Sequence, residues 1–184
     1  VRAALGEPVS PDLFAGLVRD LAADGRIEST GALARLPGHA AQFSEAENSF
    51  WRKALDWMQD RGAVTMTAAE LARDQRVSEP AARAMLERRR VSGDAWQVTD
   101  SKFMTRDHVA ALVALAAELD AASGQGFTAA GLRDASGIGR NFVIQLLEFF
   151  DRIGVTRRAG EVRRMRGDWQ AVVGFSEPWR KPAA

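Results

Sequence analysis

Phe127-Thr128-Ala129-Ala130-Gly131-Leu132 repeats Met66-Thr67-Ala68-Ala69-Glu70-Leu71 at an offset of 61 residues, without a gap. The match continues with Ile138 on Val77, Val143 on Ala82, Leu146 on Met85, Leu147 on Leu86 and Glu148 on Glu87. A third, shorter copy opens the chain. Ser10, Ser78 and Gly139 each stand 15 residues before a glycine (Gly25, Gly93 and Gly154), and Leu17-Val18, Met85-Leu86 and Leu146-Leu147 fall in register. Self-similarity at this spacing marks one supersecondary unit used several times.

Each 15-residue window predicts a helix. Ser10 and Ser78 suit the N-cap, where a side-chain oxygen accepts from a free backbone N–H. Pro11 suits the first helical position, where its missing N–H costs nothing. Val143, Leu146, Leu147 and Phe150 follow the spacing of one buried stripe. The closing glycine permits the left-handed backbone that ends a helix. In the two longer copies Thr67 and Thr128 cap a shorter helix, predicted over 68–74 and 129–135. The turn Ser136-Gly137-Ile138-Gly139 then makes a helix-turn-helix. A longer helix comes first in each. Ser44-x-x-Glu47 is a capping box opening 45–61, with Phe50, Ala54, Trp57 and Met58 on one face. Its counterpart is predicted over 106–122, with Val109, Leu112, Val113, Ala116 and Leu119 inward.

A hairpin follows the closing glycine. Residues 26–29 and 32–36 read as strands about a Thr30-Gly31 turn, and 155–158 and 161–165 as strands about Ala159-Gly160. The middle copy has a less regular hairpin around residues 94–99. The fold class is therefore mainly α with small β-hairpin wings: tandem winged-helix (helix-turn-helix) modules. The expected division is 1–42, 43–104 and 105–175, with a tail over 176–184. The first copy lacks an opening helix, so the chain reads as a fragment whose first module is incomplete.

Charge separates the copies. Residues 1–82 carry 9 basic and 12 acidic side chains, whereas 131–184 carry 10 and 6. Much of that excess is Arg152, Arg157, Arg158, Arg163, Arg164 and Arg166. Guanidinium suits bidentate contacts to phosphate and base edges. The helix starts differ too: Ser10-Pro11-Asp12, Ser78-Glu79-Pro80 and Gly139-Arg140-Asn141. An acid at a helix N-terminus repels phosphate, whereas Gly139 leaves the approach open and Arg140 and Asn141 add donors. The binding site is thus expected in the third copy, on Gly139, Arg140, Asn141, Arg133, Arg157, Arg158, Arg163 and Arg164. Further along that helix stand Gln145 and Glu148, not the run of donors a DNA major groove calls for. Donors at the tip and wing suit a compact target such as an RNA hairpin with a splayed-out base.

The bland readings are plain. Arg133 and Arg140 can be ordinary surface arginines. The wing arginines alternate faces, so some can pair with Asp151 or Glu148. Trp51, Trp57 and Trp96 read as core, Phe149 reads either way, and His39 reads as a loop tether. His108 has no catalytic companion in the sequence. With no cysteine and two histidines, a structural zinc site is not expected. This stretch shows no disulfide framework, no charged-then-apolar segment that reads as a signal peptide, no long apolar run and no phosphate-binding Gly-x-x-x-x-Gly-Lys loop. No enzyme activity is expected of this stretch.

The run Leu132-Arg133-Asp134-Ala135-Ser136-Gly137-Ile138-Gly139-Arg140-Asn141, continued by Leu146-Leu147-Glu148-Phe149-Phe150-Asp151-Arg152-Ile153-Gly154-Val155-Thr156-Arg157-Arg158, resembles the last winged-helix domain of the selenocysteine-specific elongation factor SelB family. Leu36-Pro37-Gly38-His39 is similar as well. The resemblance implies an mRNA hairpin, the selenocysteine insertion element (SECIS), as partner, gripped by the last of four winged helices. It also implies a GTPase body elsewhere that carries selenocysteyl-tRNA to the ribosome and recodes UGA. GTP would be that body's ligand, with no cofactor in this stretch. The protein would work in the cytoplasm, as a monomer and away from membranes. Family members often have Arg-Lys where this chain has Arg140-Asn141. The competing readings are a tandem winged-helix DNA-binding regulator and a protein-interaction scaffold.

Overall fold

The computed structural model describes residues 11–30, 33–37, 42–167 and 169–174. Ser10, Gly31, His39 and the tail from 175 lie outside the described residues, and so do the expectations attached to them.

The first copy supplies α1 (Pro11–Ala23), β1 (Glu28–Thr30) and β2 (Leu33–Arg35). Next come α2 (Glu45–Asp60), β3 (Met66–Thr67), α3 (Ala68–Gln75), α4 (Glu79–Ser92), β4 (Ala95–Gln97) and β5 (Lys102–Thr105). The last copy has α5 (Arg106–Ser123), α6 (Ala129–Ser136), α7 (Arg140–Arg152), β6 (Thr156–Ala159), β7 (Val162–Met165) and α8 (Trp169–Val173). This is the winged-helix order: three helices, the second and third as a helix-turn-helix, then a hairpin.

The caps expected from sequence set the helix starts. Ser44 and Glu47 form a complete capping box on α2, and Thr67 and Glu70 form another on α3. Hydrogen bonds from the Ser44 backbone and hydroxyl hold the Glu47 carboxyl below the usual range, helped by Arg88 and Arg89. Ser78 accepts from the Ala81 N–H and Thr128 from the Gly131 N–H. Gly25, Gly93 and Gly154 all take positive φ where the helix closes. Arg76 takes φ 56 at the end of α3, a position filled by Gly137 in the repeat 61 residues on.

Both outer hairpins are shifted by one residue from expectation. Ala159 pairs with Val162, which puts the loop at Gly160-Glu161. Gly160 has φ 65, and two-residue hairpin loops place their glycine where positive φ is needed. Thr30 likewise pairs with Leu33 and so belongs to its strand, not to the turn. The middle wing corrects expectation more strongly. It is part of the most complete sheet, with strand order β3-β5-β4.

Among the described residues two apolar cores result. One gathers Phe50, Ala54, Met58, Met66, Leu71, Leu86 and Phe103. The other gathers Met104, Val109, Leu112, Val113, Leu132, Val143, Leu146, Leu147 and Phe150. Neighbouring residues on a strand face opposite ways, so β5 sends Phe103 into the first core and Met104 into the second. Thr105 ends β5 and also caps α5, accepting from the His108 N–H. No linker separates the two units. Burial pushes the His108 pKa down, so its ring is neutral at pH 7. Arg89, nearly buried, ties α4 to α2 through Asn48 Oδ1 at 2.8 Å and packs on the Phe43 ring. Trp51 and Trp57 lie half-buried against the first core, as expected.

Candidate nucleic-acid interface

The start of α7 is an open helix end. Gly139 occupies the N-cap with φ −61 and ψ 145, no side chain caps the first turn, and that turn holds no acid. A Cβ added at Gly139 would meet nothing within 4 Å. The free N–H groups and the positive end of the helix dipole therefore face outward. Arg140 and Asn141 are exposed there, with no hydrogen bond or ion pair among the described residues. The start of α4 is closed by comparison, with Ser78 on the Ala81 N–H and Glu79 beside it.

The wing divides its four arginines. β6 pairs with β7 so that Arg157 faces Arg164 and Arg158 faces Arg163. Arg163 turns inward and its Nε donates to Asp151 Oδ2 at 3.0 Å, with 13% of the side chain exposed. The other oxygen of Asp151 accepts from the buried Thr156 hydroxyl at 2.6 Å. Arg164 forms an ion pair at 3.0 Å with Asp120 of α5, whose second oxygen accepts from the Met165 N–H. Arg157 and Arg158 point to solvent, and Arg158 donates only to the Gly160 carbonyl, at 3.0 Å. Arg133, exposed on α6, pairs with the adjacent, exposed Asp134 at 2.7 Å. Of the eight residues expected, five (Gly139, Arg140, Asn141, Arg157 and Arg158) thus offer unneutralised groups to a ligand, whereas Arg133, Arg163 and Arg164 have carboxylate partners.

Beyond the tip, one stripe of α7 is in contact with the preceding wing. Phe142, Gln145, Phe149 and Arg152 form one stripe, and the β4–β5 hairpin lies along it. The Lys102 ammonium stands 4.7 Å from the Phe142 ring centre and 3.5 Å from Gln145 Oε1. Trp96 packs edge-on against Phe149 at 5.7 Å, and Arg152 donates to the Val98 carbonyl at 2.9 Å. Phe149, read either way from sequence, is buried in this contact. The remaining solvent face offers Ile144, 43% exposed, and the acidic Glu148. A helix lying along a major groove presents donors over several turns, whereas beyond its tip α7 exposes Ile144, Gln145 and Glu148, with a single amide donor among them.

Residues 120–165, from the end of α5 through the wing, match the family model "Elongation factor SelB, winged helix". The solved mRNA-binding domain of Escherichia coli elongation factor SelB, in complex with SECIS RNA, is 31% identical. The match covers 68% of this chain and all of that one, with a TM-score of 0.60. The chain belongs to the SelB family. The full selenocysteine-specific elongation factor of E. coli is 31% identical over 150 residues, 82% of this chain and 24% of that protein. The Haemophilus influenzae protein of the same name is 24% identical over 89% of this chain and 26% of its own. The chain thus spans about a quarter of the curated SelB relatives it matches. A bacterial selenocysteine-specific elongation factor structure at 15% identity has the same fold, with a TM-score of 0.54 over 84% of this chain.

Three supporting residues of this SelB chain escape a reading of its sequence. Asp120 looks like any exposed acid on a helix, and its pairing with Arg164 spans 44 positions. Lys102 belongs to another repeat. Gly126 has φ 107, and a Cβ there would lie 2.8 Å from the Arg163 carbonyl oxygen and from Val162 Cγ2. That close approach lets Phe127 exchange two backbone hydrogen bonds with Arg163 and seat the wing.

The network around Asp151 gives a test of role. Asp151→Ala leaves the nearly buried Arg163 unpaired and removes the Thr156 hydrogen bond. We expect a loss of about 1–3 kcal/mol of stability in urea titration. The salt dependence of any nucleic-acid binding should stay as in the parent. A shallower salt dependence in Arg163→Ala would show instead that Arg163 is itself a phosphate contact.

Proposed function

We propose that this chain grips an RNA hairpin end-on, through the tip of α7 and the β6–β7 wing. It would do so as the mRNA-binding part of a selenocysteine-specific elongation factor. One observation carries the reading. Among the described residues of the last helix-turn-helix and wing, Gly139–Asn141, Arg157 and Arg158 present exposed donors with no carboxylate partner, while the preceding wing packs along the Phe142–Phe149–Arg152 stripe of α7. The E. coli relative solved with SECIS RNA supports it. Arg140 and the wing arginines would hold loop phosphates, and Asn141, neutral with both donor and acceptor, would read a base edge.

On this reading the chain divides into modules over 1–42, 43–104 and 105–175, and the last carries the RNA. Recoding of UGA, GTP hydrolysis, delivery of selenocysteyl-tRNA and contact with the ribosome would belong to the longer protein that the relatives represent. The protein would act in the cytoplasm as a monomer, with no catalytic role for this part.

Binding of a labelled RNA hairpin with a bulged base, competed by matched duplex DNA, tests the proposal. Hairpin binding that duplex DNA fails to displace is expected. Equal affinity for the duplex would support a DNA-binding regulator, and binding to neither would leave a protein-interaction scaffold.

A further inference from the structure

We infer that Lys102, in the wing of the preceding module, is a further RNA phosphate contact, so that the grip is built from two modules. The inference rests on the RNA-hairpin reading above. Lys102 begins β5 and pairs with Thr67 across the sheet. Its half-buried side chain reaches out of its own module to the first two turns of α7. There its ammonium lies over the Phe142 ring and near Gln145, two and five residues from Arg140. An aromatic face and a neutral amide orient an ammonium without cancelling its charge. Among the described residues no carboxylate lies within ion-pair distance of Lys102, in contrast to Arg133, Arg163 and Arg164.

The setting makes a bound anion the missing partner. Gln145 stands one turn beyond Asn141 on the same helix face, so Lys102 lies on the Asn141 side of α7, and no acid in the first turn balances its ammonium or the positive end of the helix dipole. A phosphate beside the tip would relieve both. The stem or loop backbone of a hairpin seated on Arg140 and Asn141 would pass the flank of α7 that Lys102 occupies. The contact carries no base information, so Lys102 would add affinity and orientation.

The test uses the full chain and an RNA hairpin with a bulged base, titrated at several salt concentrations. Lys102→Met keeps the stem packed on Phe142 and removes the charge, Lys102→Arg keeps a charge, and Arg140→Ala serves as reference. Lys102→Met should weaken binding about three- to tenfold at low salt. It should flatten the slope of log affinity against log salt by about 0.7–0.9, the release expected for one phosphate contact. Its melting temperature should match the parent, and Lys102→Arg should restore the slope. An unchanged slope with a lowered melting temperature would show that Lys102 only clamps the modules together, and would overturn the inference. Unchanged affinity and slope in Lys102→Met, beside a clear loss in Arg140→Ala, would also overturn it while leaving the hairpin reading intact. No hairpin binding by the parent chain would overturn both.

Discussion

Phe150→Ala is expected to destabilise the chain by about 3–5 kcal/mol, the cost of emptying a buried phenylalanine site. Phe150 is fully buried near the end of α7, among Leu146, Leu147 and Val143. The loss should extend beyond its own module. Met104 of β5 belongs to the same core, Thr105 joins β5 directly to α5, and Phe103 on the opposite strand face closes the neighbouring core. Domains of this size hold about 5–15 kcal/mol in all, so the variant sits near the edge of folding. Urea titration followed by circular dichroism should show a markedly lower midpoint for residues 43–175 together. Phe150→Leu, which keeps most of the volume, should cost under about 1.5 kcal/mol. A Phe150→Ala variant within about 1 kcal/mol of the parent would contradict the packing described here.

Arg140→Ala should leave stability within about 0.5 kcal/mol of the parent, because the side chain is exposed and unpaired. Its effect should fall on RNA. Loss of one good guanidinium contact costs about 1–3 kcal/mol, or roughly 5- to 150-fold in affinity. Arg133→Ala makes the contrast. Arg133 is engaged by Asp134 at 2.7 Å, so its removal should cost far less RNA affinity. Titration of both variants with one hairpin at one salt concentration would check the pair. Equal losses would mean that pairing within the protein does not decide which arginines reach RNA.

Phe150 and Arg140 are both legible in the sequence. Phe150 lies on a stripe that periodicity exposes, and Arg140 stands at a helix start that the repeat aligns with two acidic ones. Other features were hidden for physical reasons. β5 buries Phe103 in one core and Met104 in another, so it lacks the apolar and polar alternation that marks a half-buried strand. The wing loops lie one residue from the sequence expectation because glycine marks a hairpin turn without saying which loop position it fills. The arginine cluster was legible as charge. The division between Arg157 and Arg158, facing solvent, and Arg163 and Arg164, held by Asp151 and Asp120, depends on partners brought up only by folding. The docking of Lys102, Trp96 and the Val98 carbonyl on α7 is likewise a contact between modules, which no local pattern encodes.

On the proposed reading, α7 meets RNA with its tip and not along its length. Backbone amide chemical shifts of the full chain, recorded as an RNA hairpin is added, test this directly. Shifts are expected at Gly139 to Phe142 and at Arg157 to Gly160, with Ile144 and Glu148 unmoved. Shifts running along the solvent face of α7 through Ile144 to Glu148 would show a helix laid in a groove and contradict it.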